Sequence, residues 1–234
     1  MLIPNPAIPI KVIFEDESII VINKPAGIPC LPLKAGEGKT LANGIAARWP
    51  DAELVHRLDN DTSGLIIASK NPGALKDLRL QFDDEKVLKE YTALVLGEPP
   101  PKGIIETPII HDLRNKKKMK VAKAGQPTRS TYEVEKRFMG GQYTLLKVRI
   151  KTGVRHQIRV HLASVGHPIA GDRLYQNSRQ RGRDRLNLSR HFLHASHIGF
   201  VHPATKKWLE FNCKLPEELL KGVIYANDSR TKRK

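Results

Sequence analysis

The sequence predicts an α+β fold: a mixed, largely antiparallel sheet with flanking helices and loops around an active-site cleft. Segments with strand character outnumber those with helical periodicity, and several strands are consecutive pairs joined by short turn signals. No repeat of fixed period and no low-complexity linker interrupts them. One folded unit over 1–226 is therefore the simplest organisation. Residues 227–234 are polar and basic enough to be expected as a disordered tail.

The elements follow in order. Lys11 to Phe14 and Ser18 to Asn23 read as short strands around the acidic turn Glu15-Asp16-Glu17, and Lys24-Pro25-Ala26-Gly27 ends the second abruptly. Thr40 suits the N-cap of a helix through Arg48, stopped near Pro50. Asn60, Asp61, Ser63 and Gly64 favour a turn that opens onto the apolar strand Leu65-Ile66-Ile67-Ala68. Asn71-Pro72 supplies a cap and a first-turn proline for a helix carrying Leu75, Leu78 and Phe82 on one face. Glu90 to Leu96 is a strand ended by Gly97 and three consecutive prolines. Ser130 to Phe138 and Gln142 to Ile150 form a hairpin across Gly140-Gly141. Arg155 to Val165 has the apolar stripe Ile158, Leu162, Val165 of a helix, with Gly166 at its end. Phe192 to Val201 and Lys207 to Asn212 make a further hairpin, and Glu217 to Val223 a short final helix.

Forty Lys and Arg face 24 acidic residues, a formal charge of +16, as expected of a chain that binds a polyanion. The basic residues cluster. Arg114, Lys116, Lys117, Lys118, Lys120, Lys123 and Arg129 form one run, and Arg173, Arg179, Arg181, Arg183, Arg185 and Arg190 a second. Both are aromatic-poor and read as loops projecting from a core, suited to a folded RNA through its shape and phosphates. No apolar run approaches the eighteen or so residues of a membrane span, and the start lacks a signal-peptide pattern. Cys30 and Cys213 give neither a disulfide framework nor metal-ligand spacing, so a reduced, cytoplasmic protein is expected. His191, His194 and His197, spaced by three on a strand, alternate faces and cannot converge on a metal.

The most informative stretch is His56-Arg57-Leu58-Asp59-Asn60-Asp61-Thr62-Ser63-Gly64-Leu65, which sets a carboxylate beside a cation on a turn at a strand edge. A lone Asp in such a turn is more often a cap than a catalyst. Here the decamer matches the HRLDxxTSGL signature and so resembles RluA-type pseudouridine synthases. Other segments extend the resemblance in register: Asn23-Lys24-Pro25-Ala26-Gly27, Lys89 to Gly97 with its K-x-Y-x-A-x-V-x-G pattern, Thr152-Gly153 with His156 to His161, His167 to Asp172, and Leu193-His194-Ala195.

The resemblance implies a pseudouridine synthase fold and conversion of a uridine in RNA to pseudouridine, without cofactor or metal. It assigns Asp59 as the catalytic carboxylate, Arg159 as the arginine that pairs with it, and Tyr91 as the tyrosine against the target base. Arg57 would enter the RNA in place of a displaced base, since uridine chemistry needs the nucleotide out of its stack. Arg155, His156, Gln157 and the lysines Lys116, Lys117 and Lys118 are expected to contact RNA. Where the family has Arg and then Ser or Thr after Gly153, this chain has Val154-Arg155, which turns the guanidinium by about a hundred degrees if that stretch is helical. About ten residues precede the first strand, too few for the S4 domain of many relatives, so a monomeric catalytic domain is expected to bind a tRNA or rRNA stem-loop by itself. The rival reading is a non-catalytic RNA-binding or RNA-folding protein on the same fold. Glycosidase and deaminase chemistry fit poorly, for want of a second suitable carboxylate or paired cysteine ligands.

Overall fold

The structure, a computed structural model, describes residues 2–228. In chain order the strands and helices are β1 (Lys11–Glu15), β2 (Ile19–Lys24), α1 (Leu41–Arg48), β3 (Glu53–Leu54), β4 (Ser63–Ser69), α2 (Pro72–Asp83), β5 (Leu88–Leu96) and β6 (Lys102–Ile105). There follow β7 (Ile109–His111), β8 (Met119–Val121), β9 (Ser130–Phe138), β10 (Tyr143–Ile150), α3 (Gln157–Ser164), α4 (Ser178–Arg183), β11 (Leu193–Val201), β12 (Trp208–Asn212) and α5 (Glu217–Asp228). The α+β class expected from the sequence is the one found. The chain divides into two compact units, one formed by Met1–Leu88 with Ala195–Lys214, the other by Lys89–His194 with the segment from Leu215.

In the first unit the strand order is β1-β2-β4-β11, with β3 on β4 and β12 on β11. β2 runs antiparallel to β4 from the pair Ile19–Ser69 to the pair Lys24–Gly64. Because side chains alternate across a strand, Ile19, Val21, Leu65, Ile67, Ile198 and Phe200 share one apolar face, closed by Leu78 of α2 and by Val87. Ile20, Ile22, Ile66 and Ala68 are buried too, so β2 and β4 carry continuous apolar sequence. The predicted caps hold. Thr40 and Asn43 satisfy each other across a capping box at α1, and the Asn71 side chain accepts from the Ala74 N–H at 2.9 Å, with Pro72 in the first turn of α2.

The second unit is built on the antiparallel run β5-β10-β9-β6. The predicted β9–β10 hairpin turns through Met139–Gly141, where Gly140 sits at φ 63°, a conformation glycine adopts without steric cost. The segment Pro168–Ala170 runs beside β5, bridging Val95 through Ile169 and trading backbone hydrogen bonds with Leu94 and Leu96.

Several expectations need correction. The first basic run is only partly a loop: β7 and β8 pair antiparallel, so Lys120 lies in a strand, while Arg114 and Lys116 to Lys118 sit in the connecting tip 112–118 and Lys123 and Arg129 follow β8. Each strand is three residues long, too short for alternation to show between lysines. The second run contains the short helix α4, capped by the Asn177 side chain on Gln180 N–H. α3 starts at Gln157 rather than Arg155, after His156 in the left-handed region at φ 57°. α5 continues past Val223 to Asp228, and 229–234 of the expected tail lie outside the described residues.

Candidate active site

Asp59 lies in the loop between β3 and β4, half-buried, between buried Leu58 and exposed Asn60. Its turn is closed by the Thr62 N–H donating to the Asp59 carbonyl at 3.1 Å. The loop is anchored on both sides of the carboxylate. Before it, the Leu58 N–H donates to Cys30 Sγ and Cys30 Sγ donates to the Leu58 carbonyl, both at 3.3 Å. After it, the Asn60 carbonyl accepts from the Gly27 N–H at 3.0 Å and from Lys24 Nζ at 2.9 Å. Lys24 is fully buried, and its ammonium also donates to the Pro25 carbonyl at 2.9 Å and the Ile28 carbonyl at 2.8 Å. A buried cation needs such acceptors. Burial also pushes the Cys30 thiol up from its ordinary pKa, so the sulfur here is a neutral packing and hydrogen-bonding group.

At the head of the loop His56 takes a structural part. Its Nε2 accepts the Ile67 N–H at 3.1 Å, and its ring stacks on Phe82 of α2 with centroids 4.6 Å apart. Arg57 is exposed. Gly64 sits at φ 116°, and a Cβ built there would meet the Ala195 backbone N at 2.6 Å, which explains a glycine in the motif.

In the second unit Arg159 on α3 is buried, and its Nε and Nη2 donate to the two oxygens of Asp172 at 2.7 and 2.9 Å. Asp172 is itself oriented by the Leu174 and Tyr175 N–H groups at 3.1 and 3.3 Å. One edge of the guanidinium is thus fixed by a bidentate pair, the strongest geometry such a pair offers. Tyr91 lies buried on β5, opposite Val148 of β10.

The remaining sequence-predicted residues fall into different settings. Gln157 is 3 % exposed: its amide donates to the Arg129 carbonyl and Ser130 Oγ and accepts from Thr152 Oγ1 and the Val154 N–H. The structure therefore places Gln157 in the interior, tying down the Thr152-Gly153 turn, rather than on an RNA-facing surface. Val154 and Arg155 precede the helix, so the hundred-degree displacement does not arise. Val154 packs against the cluster of Ile109, Met119 and Val160, and Arg155 Nη2 approaches the Lys117 carbonyl at 3.5 Å. Lys116 and Lys117 are exposed, while Lys118 is half-buried with its Nζ 5.9 Å from the Tyr175 ring centroid. Arg190, counted with the second basic run, is internal and bonds Glu218 at 2.9 Å. His191 and His194 are buried, His197 Nε2 lies 3.2 Å from Glu210, and the described residues contain no group of three or more His, Cys, Asp or Glu that could hold a metal. Sequence reasoning missed Lys24, Cys30, Asp172 and Tyr175 as supports. The signal for Lys24 and Asp172 was present, since both fall in the segments that carried the resemblance.

The profile described as RNA pseudouridylate synthase matches residues 18–164, and the chain belongs to that family of RNA-modifying isomerases. It is 42% identical over 205 residues to an uncharacterised RNA pseudouridine synthase of Chloroflexus aurantiacus, covering 84% of this chain and 63% of that protein. It is 32% identical over 247 residues to the ribosomal large subunit pseudouridine synthase D of Zymomonas mobilis, covering 96% of this chain and 78% of that one. Among solved structures, human RNA pseudouridylate synthase domain containing 1 superposes with a TM-score of 0.74 at 23% identity, covering 91% of this chain and 86% of its own.

Proposed function

We propose that this protein isomerises a uridine of large-subunit ribosomal RNA to pseudouridine, with Asp59 as the essential carboxylate. The observation that carries the reading is the anchoring of Asp59: Cys30 holds the backbone before it, and Lys24 and Gly27 hold the backbone after it. A binding loop has no need of a backbone held on both sides of one carboxylate, whereas a residue that reacts must be held in place. The choice of ribosomal RNA rests on the names of relatives, several of which are large-subunit synthases. The cationic β7–β8 hairpin supplies phosphate contacts, which position RNA without reading its sequence.

The reaction is an isomerisation. The bond from uracil N1 to ribose C1′ breaks with help from the Asp59 carboxylate, the base rotates, and C5 bonds C1′. The C5 proton leaves and N1 gains one, so no oxidant or reductant is needed. Tyr91 and Arg159 act in the roles that the family resemblance gives them.

Asp59→Asn keeps the shape and removes the charge. It should abolish pseudouridine formation in an unmodified large-subunit rRNA transcript, with RNA affinity changing less than about threefold, because phosphate contacts dominate affinity. Pseudouridine made by the Asn variant at the wild-type rate would overturn the assignment. Wild-type protein that binds the transcript but never modifies it would favour a non-catalytic RNA-binding role.

A further inference from the structure

Tyr175 stands where four parts of the second unit meet, and no step of the chemistry proposed above uses it. Its hydroxyl accepts the Met119 N–H at 2.9 Å, where β8 leaves the tip of the basic hairpin, and lies 2.8 Å from His156 Nδ1, at the start of α3. Its ring lies under the Arg159 guanidinium, whose central carbon is 5.1 Å from the centroid, and under Lys118 of the hairpin tip. Its own N–H donates to Asp172, the acid that fixes Arg159. The hydroxyl accepts from the Met119 N–H, and its bond with His156 Nδ1 runs in whichever direction the imidazole tautomer sets. His156 itself holds a left-handed backbone at φ 57°, which costs free energy unless its surroundings fix it.

The two basic runs, some fifty residues apart in sequence, come together at this residue. Met119 and Lys118 belong to the first, and Tyr175 opens the second between Arg173 and Arg179. The tip of the first is itself an ordered turn, closed by the Asp112 and Lys118 backbones and by the Asn115 side chain on the Lys117 N–H. A rigid tip keeps its cations where the adjoining strand is held, and the hydroxyl of Tyr175 holds that strand at Met119.

We infer that Tyr175 is a positioning residue with two separable parts: its hydroxyl sets the basic hairpin for RNA, and its ring sets Arg159 for the reaction. The inference rests on the proposed RNA isomerisation. It predicts that affinity and rate divide between two substitutions of one side chain. Tyr175→Phe keeps the ring and loses both hydroxyl bonds. Tyr175→Leu loses the ring as well.

The test uses the whole protein and an unmodified large-subunit rRNA transcript as probe. Affinity is measured by filter binding, pseudouridine formation in single turnover at saturating protein, and amide exchange at Met119 in the free protein. Tyr175→Phe should bind about three- to tenfold more weakly, as the loss of one or two net hydrogen bonds implies. Its saturating rate should stay within about twofold of wild type, and its Met119 amide should exchange faster. Tyr175→Leu should in addition lose about tenfold or more in saturating rate, the scale on which misplacement costs catalysis. Wild-type affinity and Met119 exchange in Tyr175→Phe would overturn the inference alone, leaving the isomerase reading intact. Affinity and rate falling in equal proportion in both variants, in step with a lower melting temperature, would reduce Tyr175 to a structural residue. A wild-type protein that made no pseudouridine would overturn the parent reading and this one with it.

Discussion

Replacing Lys24 by methionine tests whether the Asp59 loop owes its shape to a buried cation. The side chain keeps its length and apolar stem but loses the ammonium that donates to the Pro25, Ile28 and Asn60 carbonyls. The Asn60 carbonyl keeps the Gly27 N–H, so two acceptors lose their donor. An acceptor left unsatisfied costs about 1–3 kcal/mol, toward the low end here because Pro25 and Ile28 are only partly buried and admit water. Relief of the ammonium's own desolvation offsets part of the rest. The balance is a destabilisation of about 1–2 kcal/mol, and at about 2–4 °C per kcal/mol for a chain of this size the melting temperature should fall by roughly 3–8 °C. Activity should fall further than stability accounts for, because the Asn60 anchor is adjacent to Asp59. Thermal unfolding and single-turnover pseudouridine formation at 25 °C on still-folded protein separate the two effects. A variant that melts within about 2 °C of wild type and reacts at the wild-type rate would refute the argument that this cation shapes the loop.

Gly64→Ala should lose about 3 kcal/mol or more in urea unfolding, since it adds a Cβ at φ 116° against the Ala195 backbone; a loss under about 1 kcal/mol would show that β4 can shift to admit it. His161 is fully buried, its ring nitrogens spent on Ser130, Thr128 and Thr107, and burial holds its pKa below the ordinary 6.5. The unfolded chain therefore binds the proton first, so the stability is complete above pH 6.5 and is lost as the pH falls from 6.5 toward the folded value. Urea midpoints should drop between pH 7.5 and 5.5 and drop less in His161→Asn, and parallel curves would assign the slope to other groups. Changing Lys116, Lys117 and Lys118 together to glutamine should flatten the plot of log affinity against log salt by about two units, each phosphate contact carrying about 0.7–0.9. An unchanged slope would mean that the hairpin tip faces away from the RNA.

The helices α1 and α2 were legible because their caps are local: Thr40 with Asn43, and Asn71 with Pro72, declare a start without reference to the rest of the chain. The hairpins β9–β10 and β11–β12 were legible for the same reason, their turn residues lying between apolar alternation. The hairpin β7–β8 was not. Its strands are held by Met119 packing on Ile109 and on Val160, the second a contact across forty-one residues that no window of sequence contains. In the site, Asp59 could be found because its whole turn is one contiguous signature. Cys30, by contrast, acts through a thiol facing the Leu58 backbone, and only the fold brings those two together. Gln157 misled for the converse reason: a polar residue beside a motif reads as a contact, yet its amide is consumed by the turn it stabilises.

Among the described residues, the contacts named above hold the Asp59 loop and the cationic hairpin through different side chains. Lys24, Gly27, Cys30 and His56 hold the carboxylate's loop through contacts inside the first unit. Met119, Val154, Val160 and Tyr175 hold the hairpin inside the second. Free-energy changes at sites without shared partners add, so a substitution at the exposed tip residues Arg114, Lys116 or Lys117 leaves the anchoring of Asp59 as it was. On the proposed reading this lets the RNA that is bound change while the chemistry stays fixed. It also locates the exception. Arg159 rests against the ring of Tyr175, which also lies under Lys118, so substitutions that move this ring, unlike substitutions at Arg114, Lys116 or Lys117, should reach the reaction rate.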